Sequence, residues 1–269
     1  IRVVTGLKPK DLVMMPARVA LALQADGWWL RQDIIWAKPN PMPESTTDRA
    51  TTAHEHLFLL AKSERYYYDA DAIREPHQPS SLARVAQNDG HPNWDGVRAR
   101  GFPGSEQTLD INKLVPPRGR NKRSVWTIAA QPYPEAHFAT FAEKLVEPCV
   151  LAGSSERGVC AECGAPWRRV VEKSAMEITR SGNHPPELRT RTSGTMTEAP
   201  ISQTTGWEPT CAHNADVVPA TILDCFSGSG TVGVVAQRLG RRAVLVDASK
   251  PYLELARRRL EAIPLPMGV

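Results

Sequence analysis

Apolar residues recur at helical spacing from Lys10 to Ala25, with Leu12, Pro16, Val19, Ala20 and Leu23 on one face and Gly27 as a stop. The apolar runs Trp28 to Ala37 and Leu57 to Ala61 predict two strands. Between them, Lys38-Pro-Asn-Pro-Met-Pro-Glu-Ser45 holds three prolines, which forbid regular structure and predict an extended loop at a strand's end. Loops at that edge of an open sheet commonly form active sites. Val125 to Ile128 reads as a short strand. It is followed by a helix from Ala136 to Ala152 with Phe138, Phe141 and Leu145 on one stripe, and Pro148 placed to bend or end it. Residues 174–206 are rich in Ser, Thr, Gly and Pro without apolar periodicity and predict a flexible loop. From Thr221 to about Ile263 the pattern is strand, glycine turn, helix, strand and helix, with Leu253, Ala256 and Leu260 facing inward.

That last unit carries the most specific chemistry. Thr221-Ile-Leu-Asp-Cys-Phe-Ser-Gly-Ser-Gly-Thr231 is an apolar run turning through glycines into a helix, and Ala243-Val-Leu-Val-Asp247 is a second run ending in an acid. Glycines let the backbone turn sharply and approach a ligand, and the helix starting near Thr231 points free N–H groups at it. An acid about twenty residues beyond such a loop reaches a ribose hydroxyl pair. The unit therefore predicts an adenosine-type cofactor. Gly228, Gly230 and Gly233 also satisfy G-x-G-x-x-G, so a dinucleotide stays open. Asp224 leans away from one, because it would repel a pyrophosphate and attract the ammonium of an amino-acid-bearing cofactor. No P-loop lysine follows the glycines, which disfavours a nucleoside triphosphate. The plain alternative is a turn that the glycines merely shape.

Composition sets outer limits. A chain of 269 residues, 41% hydrophobic and 23% charged, fits one large or two small globular domains. No apolar run nears the roughly 18 residues of a membrane span and no signal-peptide pattern opens at Ile1, which points to the cytoplasm. Five unevenly spaced cysteines favour metal binding or buried thiols over a disulfide framework. The net charge of +4 is concentrated: residues 76–124 hold eight Lys or Arg against four Asp or Glu, and the rest of the chain balances. A polyanion would meet the protein there, above all at Arg118-Gly-Arg-Asn-Lys-Arg123, although a solvated polar loop fits equally.

Cys160-Ala-Glu-Cys163-Gly164 is a C-x-x-C knuckle and Cys211-Ala-His213 a second half-site. Three sulfurs and an imidazole from Cys160, Cys163, Cys211 and His213 are the ligand count of a closed structural zinc site. A redox C-x-x-C or unpaired thiols are the alternatives. His54-Glu55-His56 lacks H-E-x-x-H spacing and reads as packing at the start of a strand. Cys149 and Cys225 stand alone and read as small buried hydrophobes. Tyr66, Tyr67 and Tyr68 favour packing at a domain edge over stacking on bases.

Asp224-Cys-Phe-Ser-Gly-Ser-Gly-Thr231 resembles the cofactor loop of the DNA amino-methyltransferases, usually D-P-F-x-G-S-G-T, with Cys225 in the proline's place. His137-Phe-Ala-Thr-Phe141 resembles the motif preceding that loop in the permuted "beta" arrangement, with Ala142 where proline is common. Asp11 to Lys38, the Lys38 to Arg49 loop and His54 to Asp69 also look like this group's second half-domain. The resemblance implies an α/β fold: a Rossmann-like S-adenosylmethionine-dependent methyltransferase sheet with helices on both faces, plus a small zinc-knuckle insertion and an irregular basic segment. It implies that Asp224, Phe226, Ser227, Gly228, Ser229, Gly230 and Thr231 hold the methionine end of S-adenosylmethionine and that Asp247 takes the ribose. His137, Phe138, Thr140 and Phe141 would line the opposite wall. Lys38, Arg118, Arg120, Lys122 and Arg123 would face double-stranded DNA, the basic segment lying where the family places target recognition. The expected divisions are 1–75 for the catalytic half-sheet, 76–124 for target recognition, 125–153 for the pocket wall, 154–218 for the zinc knuckle and 219–269 for cofactor binding.

The family's catalytic tetrapeptide, Asp, Asn or Ser followed by Pro-Pro and an aromatic, does not occur. Pro116-Pro117 sits between Val115 and Arg118, Pro185-Pro186 between His184 and Glu187, and Gln131-Pro-Tyr133 is a partial look-alike. In the permuted arrangement the tetrapeptide is expected upstream of Ile1, which makes the chain an expected fragment. The implied reaction moves a methyl group to the exocyclic amine of a flipped-out adenine (N6) or cytosine (N4), adenine slightly preferred, largely by positioning. A cognate restriction enzyme is a possible partner. The rival readings are a nicotinamide-dependent oxidoreductase and a zinc-stabilised, non-catalytic DNA-binding module of methyltransferase shape.

Overall fold

The computed structural model describes residues 6–78, 80, 119–131, 133, 140–173, 177–179, 195–198 and 202–263. In chain order the elements that matter here are α1 (Met15–Ala25), β1 (Trp29–Ala37), β2 (His54–Ala61), β3 (Val125–Thr127), α2 (Glu143–Gly153), β4 (Val159–Cys160) and β5 (Arg168–Lys173). They continue with β6 (Glu177–Thr179), β7 (Thr195–Glu198), β8 (Ser202–Glu208), β9 (Val217–Val218), β10 (Thr221–Asp224), α3 (Thr231–Arg238), β11 (Arg242–Leu245) and α4 (Lys250–Glu261). The chain divides into two units. One is formed by Ile1–Tyr68, Arg123–Gly153 and Thr221–Val269, the other by Asp69–Lys122 and Ser154–Ala220. Among the described residues no helix is long and apolar enough to cross a membrane.

The first unit is mixed α/β. β1 pairs antiparallel with β2 and parallel with β3, which brings Trp36 level with Trp126. Both indoles are buried with Ile34 and Leu145, and each finds a carbonyl for its N–H: Trp36 at Ile128 (2.7 Å), Trp126 at Arg123 (2.6 Å). α2 buries Leu145, Val146, Val150 and Ala152. Val146 and Val150 pack with Val235 of α3, so one helix joins the three-stranded sheet to the glycine-loop unit. There β10 and β11 run parallel, Leu223 level with Val244, with α3 as the crossover between them. Leu223 and Val244 remain exposed on one face.

Two helices start later than their apolar patterns predict. α1 begins at Met15 because Pro16 is tolerated only in a first turn, where its missing N–H is not needed. Only Ala20 of the expected face is buried, and Leu12 and Val19 are exposed. Residues 140–142 are not helical, and α2 starts at Glu143 and runs through Pro148 instead of ending there. Cys149 and Cys225 are exposed, not buried: one lies on the outer side of α2, the other in the turn after β10.

The second unit is built of short antiparallel pairs: β4 with β9, β5 with β8, and β6 with β7. Within the expected loop at 174–206, residues 177–179, 195–198 and 202–206 are strand instead, threonine-rich runs of high β propensity with no apolar alternation to announce them, and the rest of it lies outside the described residues. Buried Asp69 pairs with Arg169 (3.0 Å), which also reaches Glu156 (2.7 Å) and lies 4.4 Å over the Trp207 ring. Glu75 and Arg120 exchange backbone hydrogen bonds of 2.9 and 2.8 Å.

Candidate functional site

The turn from β10 to α3 is held by its own backbone. Val246 N–H donates to the Asp224 carbonyl (2.8 Å), Ser227 N–H to the Val246 carbonyl (3.0 Å), and Gly230 N–H to the Ser227 carbonyl (2.7 Å). Gly228 and Gly230 have φ of +48° and +77°, the left-handed conformation that side chains disfavour. Among the described residues a Cβ on Gly228 would meet nothing within 4 Å, whereas at Gly230 it would fall 2.7 Å from the Ala256 Cβ of α4. One glycine faces open space and the other lets α4 close against the loop.

Asp224 uses one carboxylate oxygen to accept the Phe226 N–H (3.0 Å), while Oδ2 is buried with no partner among the described residues. Buried Ser227 Oγ also lacks one among them. Phe226 is 89% exposed, and Ser227, Ser229 and Thr231 are buried. Asp247 accepts the Gly228 N–H through Oδ2 and the Ser249 N–H through Oδ1, both at 2.8 Å. Those two amides, Ser249 first, hold its carboxyl below the usual carboxylate range. Thr140 is half-buried and Phe141 packs into both core clusters, whereas His137 and Phe138 lie outside the described residues.

Arg259 of α4 is a contributor that sequence reasoning missed. Its guanidinium donates to the Ser229 carbonyl (2.8 Å), the Ser229 hydroxyl (3.0 Å) and the Thr231 hydroxyl (3.3 Å). It also reaches Glu143 at the start of α2 (3.4 Å) and lies 4.3 Å over the Tyr133 ring. Arg238 of α3 holds the other Glu143 oxygen at 2.8 Å. In the sequence, Arg257-Arg-Arg259 is an unremarkable basic run on an amphipathic helix, and nothing local distinguishes its third member.

The expected DNA-facing cations have varied settings. Lys38 pairs with Glu55 and lies 4.5 Å over the Trp36 ring. Arg120 and Lys122 turn to the same carboxylate, Glu75, at 3.2 and 3.0 Å. Arg123 is exposed, and Arg118 lies outside the described residues. His54, Glu55 and His56 open β2 in exposed positions, and His56 Nδ1 lies 3.0 Å from Asp33. Arg31 donates to the Tyr66 hydroxyl (3.2 Å). Elsewhere, ligand atoms of Cys160, Cys163, Cys211 and His213 all lie within 4.8 Å of one another.

A family pattern described as DNA methylase matches residues 8–162 and 218–258, most of the chain and all of the β10-to-α3 turn. The chain belongs to the DNA methylase family. Its relatives include the Type II methyltransferase M.SfiI of Streptomyces fimbriatus, 59% identical over 292 aligned positions that cover 93% of this chain and 67% of that protein. The Type II methyltransferase M.Cfr9I of Citrobacter freundii is 33% identical over 256 residues, 95% of this chain and 52% of its own. M.SmaI of Serratia marcescens is 32% identical over 255 residues, 95% and 54% respectively. The chain thus spans about half the length of the latter two. Among solved structures, the M1.HpyAVI–SAM complex is similar over 93% of this chain and 72% of its own at 15% identity, with a TM-score of 0.43. In this chain the family pattern pauses after residue 162 and resumes at 218, leaving most of the cysteine–histidine cluster outside it.

Proposed function

We propose that this chain carries the S-adenosylmethionine site and part of the DNA surface of a site-specific DNA methyltransferase acting on the exocyclic amine of adenine (N6) or cytosine (N4). S-adenosylmethionine supplies a methyl group on a sulfonium centre. The observation carrying the reading is the buried Oδ2 of Asp224, without a partner among the described residues, beside a glycine turn where none of them comes within 4 Å of a Cβ built on Gly228. An unpaired buried acceptor is costly, and an ammonium group is the complement that relieves it. A pyrophosphate would be repelled there, which disfavours a dinucleotide.

In this reading Asp224 and the loop from Phe226 to Thr231 bind the amino-acid end, and Asp247 meets the ribose through lone pairs left over from its two amide contacts. Thr140 and Phe141 belong to the facing wall, together with His137 and Phe138. Exposed Arg123 contacts duplex DNA, from which the target base is flipped, while Arg120 and Lys122 are engaged by Glu75. No residue of this chain is assigned to hold the target amine, since the tetrapeptide motif does not occur in it. A cognate restriction enzyme would recognise the same sequence.

Isothermal titration separates the readings: S-adenosylmethionine binds, NADH does not, and Asp224→Asn weakens the former. NADH binding without S-adenosylmethionine binding would overturn the assignment. Transfer of a labelled methyl group from S-adenosylmethionine into duplex DNA by the intact protein tests the reaction itself. Cofactor and DNA binding with no transfer would instead favour a non-catalytic module.

A further inference from the structure

We propose that Cys160, Cys163, Cys211 and His213 form a tetrahedral Zn2+ site, with His213 ligating through Nδ1 and Glu162 holding its other ring nitrogen. The site lies within one unit and is independent of the methyl-transfer reading. Three of its four ligands fall between residues 162 and 218, outside the part of the chain that the DNA methylase pattern matches.

The backbone brings the two half-sites together from both sides. β4 pairs with β9, placing Cys160 opposite Val217, and Ala161 N–H donates to the Asp216 carbonyl (2.9 Å). On the other side the β5–β8 ladder begins at Arg168 opposite Glu208, two residues short of Thr210, whose hydroxyl donates to the Pro166 carbonyl (2.7 Å). Within the knuckle, Gly164 N–H donates to the Cys160 carbonyl and Cys160 N–H to the Ala165 carbonyl, both at 2.9 Å. The result is a tight turn presenting Cys160 and Cys163 to one point, with Cys211 and His213 delivered opposite.

The distances suit a metal better than a thiol network. The four ligand atoms lie within 4.8 Å of one another. A tetrahedron with metal–sulfur bonds of about 2.3 Å has edges near 3.7 Å, so small side-chain rotations close the set. Cys160 Sγ is already 3.9 Å from His213 Nδ1. The other nitrogen, Nε2, lies 3.5 Å from a Glu162 carboxylate oxygen. A carboxylate accepting the distal N–H is the usual support of a metal-bound imidazole, since it selects the tautomer whose free lone pair faces the ion. Three thiolates and an imidazole are soft and borderline donors in the ratio zinc prefers, and four protein ligands leave no open position for catalysis. The ion would therefore be structural, clamping the chain across the excursion between Cys163 and Cys211.

Metal analysis of the full chain, expressed with zinc and dialysed against metal-free buffer, should find about one zinc per chain. Zinc-edge absorption should fit three sulfurs at about 2.3 Å and one nitrogen at about 2.0 Å. Cobalt reconstitution should give the intense visible bands of a tetrahedral thiolate site. Cys163→Ser and Cys211→Ser should each lose the metal. Glu162→Gln should bind zinc roughly 10-fold more weakly while retaining the same ligand set, as expected for a supporting contact. Because the double variant Cys163→Ser/Cys211→Ser could misfold, circular dichroism and S-adenosylmethionine titration accompany each metal measurement. Absence of zinc from folded wild-type protein, a Cys160–Cys163 disulfide found by thiol counting, or zinc retained by the folded double variant would each overturn the site.

Discussion

The Gly228 amide donates to Asp247 across a 2.8 Å hydrogen bond, tying the tip of the glycine turn to the segment just after β11. The same carboxylate accepts the Ser249 amide that opens α4. One acid thus sets both the loop that would hold the methyl donor and the helix behind it. Asp247→Asn presents an N–H to at least one of these amides. It is expected to weaken S-adenosylmethionine binding roughly tenfold or more, the effect of one lost charge-assisted hydrogen bond.

The acid's ionisation gives a pH signature. The amides of Ser249 and Gly228 lower its folded-state pKa. Its stabilising contribution is therefore present above the ordinary carboxylate value of about 4 and is lost as pH falls through the lowered folded value. Wild-type cofactor affinity should owe no variation to this group between about pH 5 and 8, and Asp247→Asn should flatten any loss on acidification below about pH 4. Titration calorimetry of both proteins across that range checks it.

The two left-handed glycines predict opposite outcomes. At Gly228 an added methyl comes within 4 Å of no atom of the described residues, so Gly228→Ala should cost only about 1 kcal/mol of stability through its backbone conformation while obstructing the ligand. At Gly230 the methyl strikes Ala256 at 2.7 Å, so Gly230→Ala should cost about 2–4 kcal/mol, the conformational penalty plus overpacking against α4. Thermal unfolding and S-adenosylmethionine titration on both variants separate them. Equal destabilisation, or unchanged binding in Gly228→Ala, would contradict the assignment of the open side to the cofactor.

Arg259 gives a fourth prediction. Its guanidinium joins the Ser229 carbonyl to Glu143 and so couples the glycine turn to α2. Arg259→Ala removes one of the two arginines that Glu143 has among the described residues and the donor to the Ser229 carbonyl, at a cost of about 2–3 kcal/mol. Arg259→Lys keeps the charge but not the fork, and should recover only part of the loss. If chemical denaturation finds Arg259→Ala as stable as wild type, the bracing role fails.

What was legible in the sequence follows from how local its cause is. β10, the glycine turn, α3, β11 and α4 lie within one continuous stretch, and both the change of period and the turn residues are visible in it. Cys160, Cys163, Cys211 and His213 were legible because ligand chemistry carries its own spacing, and the fold does gather them. Arg259 was not, since its partners Ser229 and Glu143 are 30 and 116 residues away and any surface arginine has the same local pattern. The start of α1 was misread because the apolar repeat from Leu12 continues through Pro16, whereas the proline decides where the helix can begin.

The basic cluster gives the clearest example of charge that composition overstates. Arg120 and Lys122 add two positive charges to residues 76–124, yet both close on Glu75. Burial pushes the Glu75 carboxyl up, but Lys122 and Arg120 outweigh it and hold it below its ordinary range, so the trio stays ion-paired at neutral pH. A cation engaged in this way has no counterions to release to a phosphate, whereas exposed Arg123 does. In a salt titration of DNA binding, Arg123→Ala should therefore lower the slope of log K against log salt by about 0.9, and Lys122→Ala should leave it unchanged. Glu75→Gln removes the carboxylate from both partners and should raise the slope by up to about 1.8, with tighter binding at low salt. Fluorescence anisotropy on one duplex from low to moderate salt measures all three. A Lys122→Ala slope reduced as much as that of Arg123→Ala would mean that the Glu75 pairs open on DNA and that the full basic cluster meets the phosphates.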